Sequence, residues 1–159
     1  MKVSIRKALL IILTVVGMLN AAGPVQANGS SQVIIAYATG AIVSEDLCSP
    51  LELCQQAVVS GSATHLGHIT GVLNERIDLT TGTYTGEGVF TTSNGDTIET
   101  DYVGQVSAPN ASGGVTFVEQ HQIVGGTGRY GTATGELGVV GSASATGTIR
   151  IVARGTLYR

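Results

Sequence analysis

The stretch Gly125-Gly126-Thr127-Gly128-Arg129-Tyr130-Gly131-Thr132-Ala133-Thr134-Gly135 decides how the rest of the chain is read. Within it, Gly126-x-Gly128-x-x-Gly131 matches the dinucleotide fingerprint, which has meaning only between a strand and a helix in a βαβ unit. The run before it, Val115 to Val124, has the composition of a strand. The run after it does not read as a helix. Gly131, Thr132, Thr134, Gly135 and Gly138 are poor helix formers, and each interior glycine costs about 1 kcal/mol relative to alanine. No helix N-terminus is offered to a pyrophosphate. The reading that remains is a tight connection between two strands, with Gly125, Gly126, Gly128 and Gly131 supplying positive φ angles as a structural loop.

Working back from that loop, short apolar or Thr-rich runs alternate with turn signals. Gln32 to Tyr37 is apolar and β-branched and reads as a first strand. Ser44 to Gln56 carries Pro50, several acids and both cysteines and reads as an irregular loop, with Leu47, Leu51, Leu53 and Cys54 spaced for one helical turn. Val58 to Thr64 and a long run from His65 to Leu79, bent at Gly67 or Gly71, follow. Thr80-Thr81-Gly82 turns the chain into Thr83 to Thr92. Asn94-Gly95 then joins that run to Thr97 to Ser107, the strongest short hairpin signal. Pro109 to Gly114 is a loop. Beyond the glycine connection, Thr134 to Ser142 and Thr146 to Tyr158 form a last hairpin. Tyr84-Thr-Gly-Glu87, Ala133-Thr-Gly-Glu136 and Ala145-Thr-Gly-Thr148 echo one another and are read as shared turn chemistry, not a solenoid repeat. About eight strands with no room for crossover helices predict an all-β domain, a single antiparallel barrel of about eight strands. A β-sandwich is the runner-up.

The segment from Val124 to Gly135 resembles the Gly-Gly-Thr-Gly, aromatic, Ala-x-Gly signature of the barrel superfamily that includes plant dirigent proteins and allene oxide cyclases. Barrel cyclases of bacterial natural-product pathways carry a related loop. The similarity runs from Val115 to Arg159, about a third of residues 28–159, and extends more weakly back to Gly61. Tyr130 stands where that family usually has Phe. The resemblance implies an allene oxide cyclase-like or dirigent-like barrel. It also implies an isomerase or cyclase class in which cavity shape and a few polar groups do the work, and assembly into dimers or trimers.

Residues 1–27 have the layout of a secretory signal peptide. Lys2, Arg6 and Lys7 precede an apolar run from Ala8 to Leu19, and Val25-Gln26-Ala27 ends in small residues suited to cleavage near Ala27. The apolar run is shorter than the roughly 20 residues of a membrane span and is followed by Asn20 and Pro24, which argues against the alternative of a retained anchor. The expectation is a secreted or periplasmic domain over residues 28–159. That domain holds all 11 acidic residues but only 5 basic ones, a formal charge of −6, and contains no lysine. Nucleic-acid binding needs clustered cations, so nucleic acid is excluded as a partner, as is a membrane surface after signal cleavage. Two sequons, Asn28-Gly-Ser30 and Asn110-Ala-Ser112, are read as chance.

Cys48 and Cys54 are the only cysteines, and in an exported protein such a pair reads as a disulfide. A zinc site made with His65 and His68 is the formal alternative. Histidines three apart lie on opposite faces of a strand, so no metal is expected. No cofactor motif, serine-hydrolase elbow or zinc-protease pair is present.

Strand alternation selects the candidate site. In Val115 to Val124 one face carries Val115, Phe117, Glu119, His121 and Ile123. In the run to Leu79, Glu75 interrupts Ile69, Gly71, Leu73, Ile77 and Leu79. Turned inward, Glu75, Glu119 and His121 would form a polar floor in an apolar pocket, with Tyr84 and Tyr102 on its wall as ligand-binding residues. Glu119 or His121 would be placed for proton transfer. Two alternatives stand beside this: the faces are reversed and the polar row is wet, or the row is an ion pair with Arg129 or Arg150 at the barrel mouth. The expected function is binding of a small apolar molecule or a structural role. An isomerase or cyclase, and a self-associating envelope protein, are the alternatives. The expected partners are a small apolar ligand and further copies of the chain.

Overall fold

The structure is a computed structural model and describes residues 30–159. The signal peptide expected over 1–27 lies outside the described residues. Eight strands follow one another: β1 (Ser31–Ser49), β2 (Glu52–Ala63), β3 (Gly67–Asp78), β4 (Thr83–Thr92), β5 (Thr97–Val106), β6 (Val115–Gly126), β7 (Thr134–Ala143) and β8 (Thr148–Tyr158). Each pairs antiparallel with its neighbour, and β8 returns to β1, closing the barrel. Closure removes most free sheet edges, which a sandwich would keep. Among the described residues no helix is long and apolar enough to cross a membrane.

The strand faces fall where alternation puts them. On β8, Ile149, Ala153 and Leu157 are buried, with Ile151 partly so, while Arg150, Arg154 and Tyr158 point outward. On β3, Ile69, Gly71 and Leu73 point in. That strand begins only at Gly67. His65 lies in the preceding turn at φ +63°, and Leu79 lies past the strand end and is exposed.

The largest departure from the sequence reading is Ser44 to Gln56. It is neither a loop nor a helical turn. β1 and β2 continue through it as a hairpin, with Glu45 opposite Gln55, Asp46 opposite Cys54 and Leu47 opposite Leu53. Register shifts at Val43 and Cys48 let the strands absorb one extra residue each time, which hides the period of two. The Cys48–Cys54 disulfide ties the two strands together near the hairpin tip.

The glycine connection folds as one 3₁₀ turn, Gly128–Tyr130, with no α-helix. Gly128 sits at φ +55° against the Asp96 carboxylate, where a Cβ would collide. Gly131 has φ −57° and needs no such freedom, contrary to the expectation for that position. The turn places Tyr130, fully buried, at the end of the barrel where β1 starts and β8 finishes. Leu66, Ile34, Ile123 and Leu157 pack with it and seal that end. At the other end Ile42, Ile77, Val106 and Phe117 are only partly buried. Of the three Thr-Gly echoes, Tyr84–Glu87 lies inside β4 and Ala145–Thr148 makes the β7–β8 turn, so they share no turn chemistry.

Inside, four aromatic rings each lie across a glycine on the next strand. Tyr84 is paired with Gly104, Tyr102 with Gly86, Phe90 with Gly71 and Phe117 with Gly141. A Cβ at any of these glycines would run into the ring. The narrow interior of an eight-stranded barrel has room for such rings only where the opposite position is empty.

Candidate functional site

β3, β4, β5 and β6 bring the polar residues together. In cross-strand register, Gln55, Glu75, Gly86, Tyr102 and His121 form one continuous inward row. Tyr84, Gly104 and Glu119 belong to the row beside it. Glu119 and His121 are buried, so the faces of β6 are not reversed.

Glu119 is the hub. One carboxylate oxygen accepts the Tyr84 hydroxyl at 2.7 Å, and the other lies 2.8 Å from His121 Nε2. The Nδ1 atom of His121 is 3.0 Å from the Thr100 hydroxyl. The Tyr102 ring stacks on the imidazole with centroids 4.2 Å apart and planes 14° from parallel. The Tyr102 hydroxyl donates at 3.0 Å to Glu75, whose other oxygen accepts the side-chain amide of Gln55 at 2.9 Å. Every one of these buried polar groups has a partner, as low-dielectric surroundings demand. Burial, reinforced by the charge of Glu119, pushes the Glu75 carboxyl up to about 7. Burial likewise raises the phenols of Tyr84 and Tyr102, with the neighbouring carboxylates adding to the effect, so both hydroxyls stay protonated donors at neutral pH.

The five residues singled out from the sequence therefore meet. Glu75, Glu119, His121, Tyr84 and Tyr102 form one cluster, joined by hydrogen bonds and ring stacking. Gln55 and Thr100 were missed. Gln55 fell in the segment read as a loop, and Thr100 is one of many strand threonines with nothing in its sequence neighbourhood to mark it. Neither arginine joins the cluster. Arg129 pairs with Asp96 at 3.6 Å and Arg150 is exposed, so the ion-pair alternative with them is set aside. His65 and His68 stand apart: His65 in its turn, His68 on the outer face beside Ser60.

Below the cluster lies a cavity of about 70 Å³. Its wall is apolar, including Ile34, Leu66, Ile69, Val139 and the Phe90 ring, except where Thr100, Glu119 and His121 reach it. An acceptor carboxylate, an imidazole and a hydroxyl at one side of an apolar chamber can orient a polar tip on an apolar body. They can also pass a proton between Glu119 and His121.

No family model matches the chain, and no curated protein matches it. Among solved structures, the chain is similar to a pterocarpan synthase dirigent protein. The TM-score is 0.52 and the identity 13%, over 82% of this chain and 85% of that one. The chain thus has the dirigent and allene oxide cyclase-like barrel fold that its glycine loop resembles. At that identity the likeness speaks to fold alone.

Proposed function

We propose that this protein is an exported barrel that binds a small, mainly apolar molecule with one polar tip. The observation that supports this reading most is the placing of Glu119, His121 and Thr100 on the wall of an otherwise apolar cavity. A purely structural barrel gains nothing from a buried carboxylate–imidazole pair with a second carboxylate nearby. Burying charge costs several kcal/mol per ion before pairing, and an apolar filling is often as stable or more so. The Cys48–Cys54 disulfide is compatible with export.

The cavity sets a size limit. At about 70 Å³ it holds a three-carbon molecule or a xenon atom. A benzene ring was accommodated by an engineered cavity of about 150 Å³ in another protein. A larger occupant needs Phe90 or Phe117, both partly buried, to swing toward the open end. The test is a methyl-detected NMR titration of residues 28–159 with 2-propanol, phenol and toluene. Interior methyls of Ile69, Ile98 and Ile123 should shift with 2-propanol first, and phenol should outcompete toluene only while Glu119 is present. Shifts confined to outer-face valines would reject the reading.

A second reading, an isomerase or cyclase, draws on the Tyr84–Glu119–His121 chain, in which a proton donor and acceptors are already aligned. Glu119 would take a proton from the substrate and His121 or Tyr84 would supply one. Product formation from a flexible electrophilic substrate, abolished in Glu119→Gln with ligand binding retained, would favour it over simple binding. Self-association has its own support in a row of directly paired, exposed outer residues, Val118, Val140, Val152 and Tyr37. Sedimentation equilibrium of the wild type and Val140→Lys decides that point.

A further inference from the structure

Nearly every strand of the barrel is hydrogen-bonded along both edges, with one long exception. β1 pairs with β8 only as far as Ala41, opposite Thr148, and the Ile42 N–H donates to the Gly147 carbonyl at 3.0 Å. Beyond that, the segment up to Ser49 is paired with β2 alone. The early part of β1 also lacks a β2 partner, but there Thr64 closes the edge: its hydroxyl accepts the Ile35 N–H and donates to the Val33 carbonyl. No such cap covers Val43 to Ser49 among the described residues. An open strand edge is a template for another strand.

Three observations choose the occupant. The edge is preformed, because the Cys48–Cys54 disulfide holds its hairpin closed. It is apolar in part, with Val43 52% and Leu47 66% exposed. It carries Glu45 and Asp46, neither in an ion pair among the described residues, whereas nearby Glu52 has Arg76. A second copy pairing edge to edge would bring these acids against the same acids, which destabilises a ladder. Glu45 and Asp46 are consecutive, opposite Gln55 and Cys54, and so lie on opposite faces of β1; they complement a strand that carries two adjacent basic residues between apolar ones. We propose that the Val43–Ser49 edge of β1 receives, as an added strand, an extended segment of another protein in which two adjacent lysine or arginine residues are flanked by apolar residues.

The probe is the peptide acetyl-Thr-Val-Lys-Lys-Val-Thr-amide, with glutamate replacing lysine in its counterpart, each titrated into the ¹⁵N-labelled protein. Amides from Val43 to Ser49 should shift and gain exchange protection with the lysine peptide and stay unchanged with the glutamate one. Glu45→Lys with Asp46→Lys should reverse that preference, changing affinity for each peptide by about tenfold, since two attractive pairs become repulsive. Should that variant misfold, Glu45→Gln with Asp46→Asn replaces it and should abolish the preference. No response at Val43 to Ser49, an equal response to both peptides, or concentration-dependent shifts there without any peptide would overturn the proposal, the last in favour of a second copy.

Discussion

Tyr130 and Glu75 show what single buried groups contribute. The Tyr130 hydroxyl is fully buried and has no hydrogen-bond partner. An unsatisfied buried hydroxyl costs on the order of 1–3 kcal/mol. Tyr130→Phe should therefore raise the unfolding free energy by about 1 kcal/mol, read as a higher denaturation midpoint at unchanged slope. An unchanged or lower midpoint would mean that the hydroxyl is satisfied in solution. Glu75 makes a pH-dependent contribution. Its folded pKa, about 7, lies above the unfolded value near 4.5, so between these values the folded state binds more protons. Stability should be greatest on this account below about pH 4.5, fall as pH rises toward 7, and level off above. Glu75→Gln removes the charge and keeps an acceptor for the Tyr102 hydroxyl, while its amide N–H donates to Gln55 once that side chain turns its carbonyl oxygen inward. It should flatten this slope and stabilise the protein above pH 7 by about 2 kcal/mol, less than the full shift implies because Glu75 is not wholly buried. Denaturant titrations at pH 4, 6 and 8 measure both curves.

At the scale of elements, the glycine–aromatic pairs hold the cluster in place. Tyr84 reaches Glu119 because Gly104 leaves room for its ring. Gly104→Ala should cost about 1–3 kcal/mol through overpacking and move the Tyr84 hydroxyl off Glu119. Gly138→Ala is the control: it faces outward and its Cβ would meet nothing closer than 3.8 Å. Equal effects of the two substitutions would refute this packing account. The β1–β2 arm depends on its disulfide, and Cys48→Ser with Cys54→Ser should cost about 2 kcal/mol, with exchange increased at Leu47 to Gln55 and not in β6.

The same elements mark what the sequence could and could not tell. Glu119 and His121 were legible as an inward pair because β6 alternates cleanly with large apolar neighbours. Asn94-Gly95 announced its hairpin because few residue pairs fit that turn. The β1–β2 arm was hidden because two bulges break the alternation and its β1 half, Val43 to Cys48, is exposed on both faces. The glycine–aromatic pairing was hidden because it links residues on different strands, and cross-strand register cannot be read before the strands are aligned.

For the whole molecule, a closed barrel with one sealed end, one partly open end and a polar layer between them is suited to receive a guest from one side only. The sealed end is mainly aliphatic and carries Tyr130; at the open end Ile42, Ile77, Val106 and the Phe117 ring are only partly buried. The central claim is that the chamber beside Glu119, His121 and Thr100 is a real binding space. Diffraction from crystals of residues 28–159 under xenon pressure tests it most directly. The account predicts one xenon between Ile34, Ile69 and the His121 ring, with Glu119 still bonded to Tyr84. An interior with no xenon and side chains filling that space, or Glu119 and His121 facing solvent, would contradict it.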